Sequence, residues 1–400
     1  MTDAQTKQLR EGWRSFTGAL QAAEQLIGAF PGVTADELAV GYRYVAAYAR
    51  MILEYALANS DTDHPYFMVI EDHFTKFGLD NVDNLYGYAQ IRGDGDYRIT
   101  GNRGNVSDLV ITVQEGDLAY WSTGRVVGHL DLDRLIVDDN GDFEIIVSHR
   151  RRDGNWLPNV TDVGGVLIRQ CLADWDTERP QPMFIERIDR AGAPSQEPGP
   201  ELVAERLEHA GRLLLGSIAY WRDFMQSVPG RPGTPHPVNE MTEPMAWGRG
   251  VEGVPSQLLS VGEFALDPDE ALVLSFDPGQ CRYLGVMLSD VRWYTSFDYR
   301  NRQSSLTGAQ IRRNRDGRAN LVVAHHDPGL ANWLDTTGHR RGHIYMRWQG
   351  ISVVPSSVQT RVVRFDELAR ELPEEPRVSP EERRAILAAR KRAVDRRFFP

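Results

Sequence analysis

The chain has 400 residues, 41% of them hydrophobic, and a formal net charge of −11. This length predicts two or three domains, or one large duplicated domain. The acidic balance argues against general nucleic-acid binding, which needs basic surface to neutralise phosphates. No apolar run approaches the roughly 18 residues of a membrane helix, the N-terminus has no apolar signal core, and two Cys suit a reducing compartment. We therefore expect a cytoplasmic protein without an integral membrane segment.

Residues 1 to 83 are predicted to form an N-terminal helical region followed by a loop. Thr34 and Glu37 have the spacing of a capping box, in which each side chain bonds the backbone of the other residue. Apolar residues then recur at helical spacing up to about residue 56. Residues 61 to 83 are irregular and are interpreted as a link into the first β unit.

Residues 84 to 190 form the first predicted β unit. Short β-like runs such as Leu109–Val113 and Phe143–Val147 alternate with turn sequences such as Asn140-Gly141, at the spacing of an antiparallel sandwich. None of the Gly-rich turns matches a phosphate-binding loop or a dinucleotide fingerprint. We therefore expect no cofactor.

Residues 191 to 254 contain a Pro- and Gly-rich linker, a helix from Glu201 to Val228 and a long loop, and such loops often serve as lids. The second β unit spans residues 255 to 370. Its predicted strands include 271–276, 283–288, 291–297, 321–324, 343–347 and 362–365. Ser379-Pro-Glu-Glu382 is a capping sequence that begins a basic C-terminal helix within residues 371 to 400.

The two β units contain related sequences. Asn140–Arg169 and Asp316–Arg347 share the order turn, strand, His, loop, Asn-Trp-Leu, Gly-containing loop, strand, Arg. Self-similarity of this length predicts an internal duplication. The expected fold is α+β and mainly β, with two related jelly-roll-like antiparallel β units, an N-terminal helical region, a connecting helix and a C-terminal helix.

The residues that the two units do not share point to the second unit as the site of any chemistry. A His near a carboxylate can act as a general acid or base close to neutral pH. The candidate catalytic residues are His326, Asp327, Asp335, His339 and Asp298. For Asp298 the alternative is a salt-bridged loop, and the His and Asp residues of the other cluster are also of the types that could bind a metal. No His-Glu-x-x-His or cupin-like pattern is present, so no metal is predicted, and no Gly-x-Ser-x-Gly elbow occurs.

The candidate substrate-binding residues lie in the same unit. A polar loop after a strand commonly carries binding groups, and a guanidinium offers a planar fork to a carboxylate or phosphate. These candidates are Tyr299, Arg300, Asn332, Trp333 and Arg347. For Asn332 and Trp333, as for Asn155 and Trp156, the alternative is structural: the Asn bonds loop backbone and the Trp anchors a corner on the core.

Several strings of the second unit together resemble a known family. They are Pro268–Val273, Cys281–Tyr283, Asp298–Ser305, His326–Gly329 and Asn332–His339. They are similar to the bacterial family called domain of unknown function 1214, over roughly residues 255 to 350. The resemblance implies a jelly-roll-like β architecture, often preceded by a second β domain and helices. It implies no common activity, although such proteins accompany lipid, steroid or terpenoid catabolism.

Three functions remain open. The first is an enzyme, a hydrolase or lyase, that uses His/Asp acid–base chemistry on a small, largely apolar, lipid-, steroid- or terpenoid-like substrate whose polar or anionic group Arg300 or Arg347 holds. The second is a non-catalytic carbohydrate- or lipid-binding protein with Trp247, Trp293 and Trp333 as exposed stacking groups. The third is a structural or partner-binding role of the basic C-terminal helix. A small-molecule substrate is the expected partner, and a homo-oligomer is left open.

Overall fold

A computed structural model describes residues 3–29, 32–118, 125–226, 237–246, 257–293 and 295–398. Within these ranges the chain is mainly β, with helices near both ends and one long helix between two β units, as predicted. None of the described helices is long and apolar enough to cross a membrane. Most of the predicted lid loop, including Trp247, lies outside the described residues.

The described residues contain five α-helices, and the first three of them pack together beside the β units. The helices are α1 (Asp3–Gly28), α2 (Ala35–Leu57), α3 (Pro200–Gln226), the short α4 (Leu368–Glu371) and α5 (Pro380–Phe398). The predicted capping box begins α2: Glu37 N donates to Thr34 Oγ1 at 3.2 Å and Thr34 N donates to Glu37 Oε2 at 2.9 Å. Gly12 permits the close approach of α1 and α3, since a Cβ there would lie 2.6 Å from Ala204 O.

Each β unit is a pair of sheets packed on a common apolar core. The strands of the first unit are β1 (Met68–Glu71), β2 (Asn84–Arg92), β3 (Tyr97–Asn102), β4 (Asp108–Glu115), β5 (Val126–Asp131), β6 (Asp142–Ser148), β7 (Asn155–Pro158), β8 (Val163–Cys171) and β9 (Met183–Arg187). The strands of the second are β10 (Met245–Ala246), β11 (Leu258–Ala265), β12 (Glu270–Phe276), β13 (Gln280–Ser289), β14 (Ser305–Thr307), β15 (Ala319–Ala324), β16 (Trp333–Asp335), β17 (Arg341–Val353) and β18 (Gln359–Arg364).

The strand order is the same in the two units. The sheets of the first unit run β1-β2-β8-β4-β5 and β7-β6-β3-β9, and those of the second run β10-β11-β17-β13-β14 and β16-β15-β12-β18. Each strand of the first unit thus has a counterpart nine strands later in the chain. Most neighbours are antiparallel, but β6 pairs with β7, and β15 with β16, in parallel. The predicted duplication is therefore present in the topology.

The shared Asn forms the same hydrogen bonds in both units. Asn155 Oδ1 accepts from Ile136 N at 2.8 Å, and its Nδ2 donates to the carbonyls of Ile136 and Glu144. Asn332 Oδ1 accepts from Arg312 N at 2.8 Å, and its Nδ2 donates to the carbonyls of Arg312 and Asn320. In each unit the Asn therefore links a loop to the neighbouring strand by hydrogen bonds. This is the structural role considered for the motif in the sequence.

Two sequence-based assignments differ from the structure. The segment 61–83 was expected to be a loop, yet it contains β1, a four-residue edge strand too short to show a period. Residues 291–297 were predicted as a strand, but the described part of this segment is a turn and an extended loop. The Asp290 carboxylate accepts from the backbone N–H groups of Arg292, Trp293 and Thr295, and these bonds replace a strand ladder.

The basic C-terminal helix is packed into the protein. Arg383, Arg390 and Arg397 are spaced by seven residues along α5, and all three are buried. Arg383 bonds Asp327 and Leu330 of the second unit, while Arg397 donates to Val82 O, next to the first unit. The predicted capping box begins α5, with Ser379 N donating to Glu382 Oε2 at 2.8 Å. Helix α5 therefore joins the two units.

Candidate active site

A cleft lies between α2 and the loops of the second β unit at residues 290–302 and 335–341; we call it the helix–β cleft. It has two lobes, of about 420 Å³ and about 490 Å³. Val40, Asp290, Thr337 and His339 line both lobes. These volumes suit a small molecule, and the shared residues show that the two lobes are adjacent.

His339 stands where the two lobes meet. Its ring stacks on Phe297, with ring centroids 4.4 Å apart and planes within 10° of parallel. Burial lowers the pKa of His339 below its ordinary value, although Asp290, Asp36 and Glu37 oppose the shift. The imidazole is therefore neutral near pH 7 and able to accept a proton.

The turn that presents His339 is strained. Thr337 has a φ of 53° and Gly338 a φ of 89°, and positive φ is a rare conformation for a β-branched residue. Asp335 Oδ1 holds the turn by accepting from Thr337 N at 2.8 Å. Asp335 is itself buried and forms a two-bond ion pair with Arg302, at 2.8 and 3.0 Å. Asp335 thus holds the turn on which His339 lies.

Asp298 lines the first lobe, together with His339 and Arg302. Partial burial raises the pKa of Asp298, but hydrogen bonds from Asn301 outweigh it, and the pKa is lowered overall. Asn301 supplies its backbone N–H at 3.1 Å and its side-chain amide at 2.9 to 3.1 Å. The carboxylate is therefore ionised at neutral pH and lies in the same lobe as the imidazole.

Two cationic residues of the cleft come from the N-terminal region. Lys76 Nζ donates to the carbonyls of Ser296 and Phe297 at 2.7 and 2.8 Å, and lies 4.8 Å from the centre of the Tyr299 ring. Burial lowers the pKa of Lys76. Arg43 is exposed to the lobe and has no ion pair with any residue in the described ranges. Its guanidinium is free to bind an anion.

Neither His326 nor Asp327 is among the residues that line the helix–β cleft. His326 is exposed and meets the Phe365 ring edge-on at 6.1 Å. Asp327 accepts from Gly329 N at 2.9 Å and pairs with the buried Arg383 of α5, also at 2.9 Å. Asp327 therefore links the second β unit to α5 through its ion pair with Arg383.

Three of the predicted binding residues contact other parts of the chain. Arg300 forms a two-bond ion pair with Asp395 of α5, at 2.5 and 3.0 Å. Tyr299 is buried, and its ring lies edge-on to Trp175. Arg347 is buried and donates to Leu79 O at 2.6 Å. Each of these side chains joins the second unit to another part of the chain.

The predicted aromatic stacking groups that the structure describes are buried. Trp293 and Trp333 are each 6% exposed. Trp293 stacks on Tyr44 with ring centroids 5.3 Å apart, and Trp333 Nε1 donates to Ala324 O at 3.0 Å. Neither indole offers a free face to a sugar.

Among the described residues no three His, Cys, Asp or Glu side chains are placed to hold a metal ion. Sequence reasoning identified His339 and Asp298 but missed Arg43 and Lys76. These two lie more than two hundred residues before His339, in a helix and a loop without a motif. The only local signal was the cluster of polar and aromatic residues on α2, which is also typical of a buried helix.

Comparison with known proteins gives a family match and similar solved structures. Residues 265–350 match the family described as "Protein of unknown function (DUF1214)". The crystal structure of an uncharacterized protein from Burkholderia cenocepacia is 32% identical in sequence, with a TM-score of 0.80, over 91% of this chain and 100% of that chain. The VPA0106 protein from Vibrio parahaemolyticus is 10% identical, with a TM-score of 0.44, over 80% of this chain and 98% of that chain. No curated protein matches the sequence.

Proposed function

We propose that the helix–β cleft is the active site of an acid–base enzyme. Residues 265–350 belong to the DUF1214 family, whose function is unknown, so the proposal rests on the geometry of the cleft. His339 transfers the proton, and Arg43 holds an anionic group of the substrate. The reaction is of the hydrolase or lyase type. In either type the neutral imidazole takes a proton from water or substrate, and the imidazolium returns it to the leaving group.

The position of His339 carries this proposal. It lines both lobes, burial lowers its pKa, and a strained turn held by Asp335 presents it. Strained backbone and shifted pKa values are concentrated at functional sites. Asp290, Asp36 and Glu37 supply the negative charge that favours the imidazolium formed during the transfer. Asp298 adds an ionised carboxylate to the first lobe.

The lining of the cleft supports the class of substrate. Val40, Tyr44, Phe74 and Phe297 supply an apolar wall, while Arg43 supplies a guanidinium that has no ion pair within the described part of the chain. A guanidinium binds a carboxylate or phosphate through two parallel hydrogen bonds. The fitting substrate is therefore small and largely apolar, with one anionic end, as a lipid-, steroid- or terpenoid-derived acid would be.

The test incubates the purified full chain with small esters and hydroxy compounds, in pairs that differ by one carboxylate. Mass spectrometry detects the products. We expect conversion of carboxylate-bearing compounds. His339→Gln should lower kcat by about a hundredfold or more, as loss of a general base does. Arg43→Gln should raise KM by roughly tenfold through the loss of one charged contact.

His326→Gln is the matched control, because it removes an exposed imidazole that does not line the cleft. Its turnover should equal that of the unmodified chain. Equal turnover by His339→Gln would refute the assignment of the base. Binding of the same compounds without conversion would instead make the protein a carrier, and the enzyme proposal would fail. A cytoplasmic location, compatible with the two free cysteines, is part of this proposal.

A further inference from the structure

A second groove, of about 500 Å³, lies between the two β units and α5; we call it the α5 groove. Trp175 contributes from the first unit, Leu306 and Ala331 from the second, and Ile386, Ala389 and Arg390 from α5. It shares no lining residue with the helix–β cleft. The α5 groove is therefore a separate space with a largely apolar helical wall.

Arg390 is a buried cation without an acidic partner. The residue is 4% exposed, and its Nε donates to the carbonyls of Tyr299 and Arg302 at 2.8 and 3.0 Å. Its Nη2 donates to Ser305 Oγ. No carboxylate of the described residues lies within 4.0 Å of its guanidinium, and none of their hydrogen bonds uses Nη1.

Arg383, on the same helix, has the carboxylate partner that Arg390 lacks among the described residues. Arg383, seven residues earlier and equally buried, pairs with the Asp327 carboxylate. Arg390 has instead the Trp175 ring, 4.4 Å from its guanidinium carbon. A buried charge normally has a counter-ion, because hydrogen bonds to neutral partners offset only part of its desolvation free energy.

Two of the nearby carboxylates are already bonded to other groups, and the exposed Asp176 and Arg312 at the groove wall carry opposite charges. Asp83 accepts from Tyr283 at 2.6 Å and from Trp175 Nε1 at 2.9 Å. Asp174, on the wall of the groove, accepts from Asp176 N and from Thr177. Burial lowers the pKa of Arg390 to about 10, in part opposed by Asp83. An added anion in the groove would favour the charged guanidinium.

We propose that the α5 groove binds a small organic carboxylate, whose charged end meets Arg390 and whose apolar body lies against Ile386, Ala389 and Leu306. The volume of the groove is in the range of small-molecule sites. A guanidinium fixed by two carbonyls and a hydroxyl is preorganised, so little rotamer freedom is lost on binding. This site is independent of the proton transfer proposed for the helix–β cleft.

Titration calorimetry of the full chain with octanoate, 1-octanol and inorganic phosphate tests the proposal. Octanoate should bind, and both the alcohol and phosphate should bind at least about tenfold more weakly, since each lacks one of the two recognised features. Similar affinities for octanoate and octanol would show that the Arg390 guanidinium does not bind the carboxylate, and would overturn the proposal. Absence of octanoate binding up to roughly 10 mM would also overturn the proposal.

Ala389→Phe and Ala388→Phe form a matched pair on α5. Ala389 lines the groove, whereas Ala388 is exposed and does not line it. Ala389→Phe should weaken octanoate binding by about tenfold or more, while Ala388→Phe should change it less than about twofold. Ala309→Phe fills the groove from an exposed loop and serves if Ala389→Phe fails to fold.

Arg43→Gln distinguishes this groove from the helix–β cleft. Octanoate binding that survives Arg43→Gln and is lost in Ala389→Phe belongs to the α5 groove. Octanoate binding that is unchanged by both groove-filling variants lies elsewhere on the protein and refutes the proposal.

Discussion

In the first β unit the loop after β7 closes on its own sheet, whereas in the second unit the loop after β16 reaches the helices. Asn159 Nδ2 donates to the carbonyls of Arg92 and Gly95 at 3.0 and 2.7 Å, and Val160 is fully buried. The corresponding loop of the second unit carries Thr337 and His339 into the helix–β cleft. Two copies of one frame have thus diverged in a loop, and only one of these loops lines the cleft.

The largest expected effect concerns what the two units share. Asn155→Ala and Asn332→Ala each remove three hydrogen bonds to backbone, two in a loop and one in the adjacent strand. Each should lower the free energy of unfolding by about 3 kcal/mol, because buried backbone groups lose their partners. Denaturant titration of both variants is the measurement. If only one variant is destabilised, the two corners are not energetically equivalent.

A smaller loss of stability is expected for a substitution in the second unit and not for its counterpart in the first. Asp327→Asn breaks an ion pair with the buried Arg383 and should cost about 2 kcal/mol of unfolding free energy. The matched variant Asp153→Asn changes an exposed residue in the corresponding loop of the first unit. It should change stability by less than about 0.5 kcal/mol. Equal losses in the two variants would contradict the anchoring role of Asp327.

Thr337→Gly tests the strain in the loop of the second unit. Glycine adopts the positive φ of this position without steric cost, so the variant should be about 1 kcal/mol more stable. Turnover should fall, because the turn that presents His339 becomes more flexible. Thermal melting and the activity screen measure the two effects. A destabilised variant would show that the Thr337 side chain contributes more packing than strain.

The smallest effect is a dependence on pH. Burial lowers the pKa of His339, so the unfolded chain binds the proton first as the pH falls below about 6.5. Stability is therefore lost on acidification, and His339→Gln should reduce that loss by less than about 1 kcal/mol. Melting temperatures between about pH 7.5 and 5.5 measure it. His326→Gln, with its exposed ring, is the control, and an identical change in both variants would argue against burial as the cause.

Much of the frame was readable from the sequence. The shared Asn-Trp string and its neighbouring turns predicted the duplication, and the two capping sequences at Thr34 and Ser379 located the start of α2 and α5. These signals are local or repeated, so they survive without knowledge of tertiary packing. The strand predicted at 291–297 failed because one carboxylate, that of Asp290, captured the backbone N–H groups.

The site was only partly predictable. His339 stood out because its loop differs from that of the first unit, and Asp298 because it lies in a polar loop that follows a predicted strand. Arg300 and Arg43 are the same residue type. The sequence does not reveal that Asp395 neutralises Arg300 and that Arg43 has no acidic partner among the described residues. Pairing of charges is set by tertiary contacts between segments far apart in the chain, and one sequence contains no record of those contacts.

The arginines of α5 have a consequence for the order of protein synthesis. The ribosome makes α5 after both β units, yet Arg390 bonds the carbonyls of Tyr299 and Arg302, and Arg397 bonds that of Val82. Each unit can acquire its own core while the chain is still growing. The joint between them can close only after α5 has emerged. A nascent chain interrupted before α5 would therefore leave these carbonyls without their guanidinium donors and be a substrate for quality-control proteases.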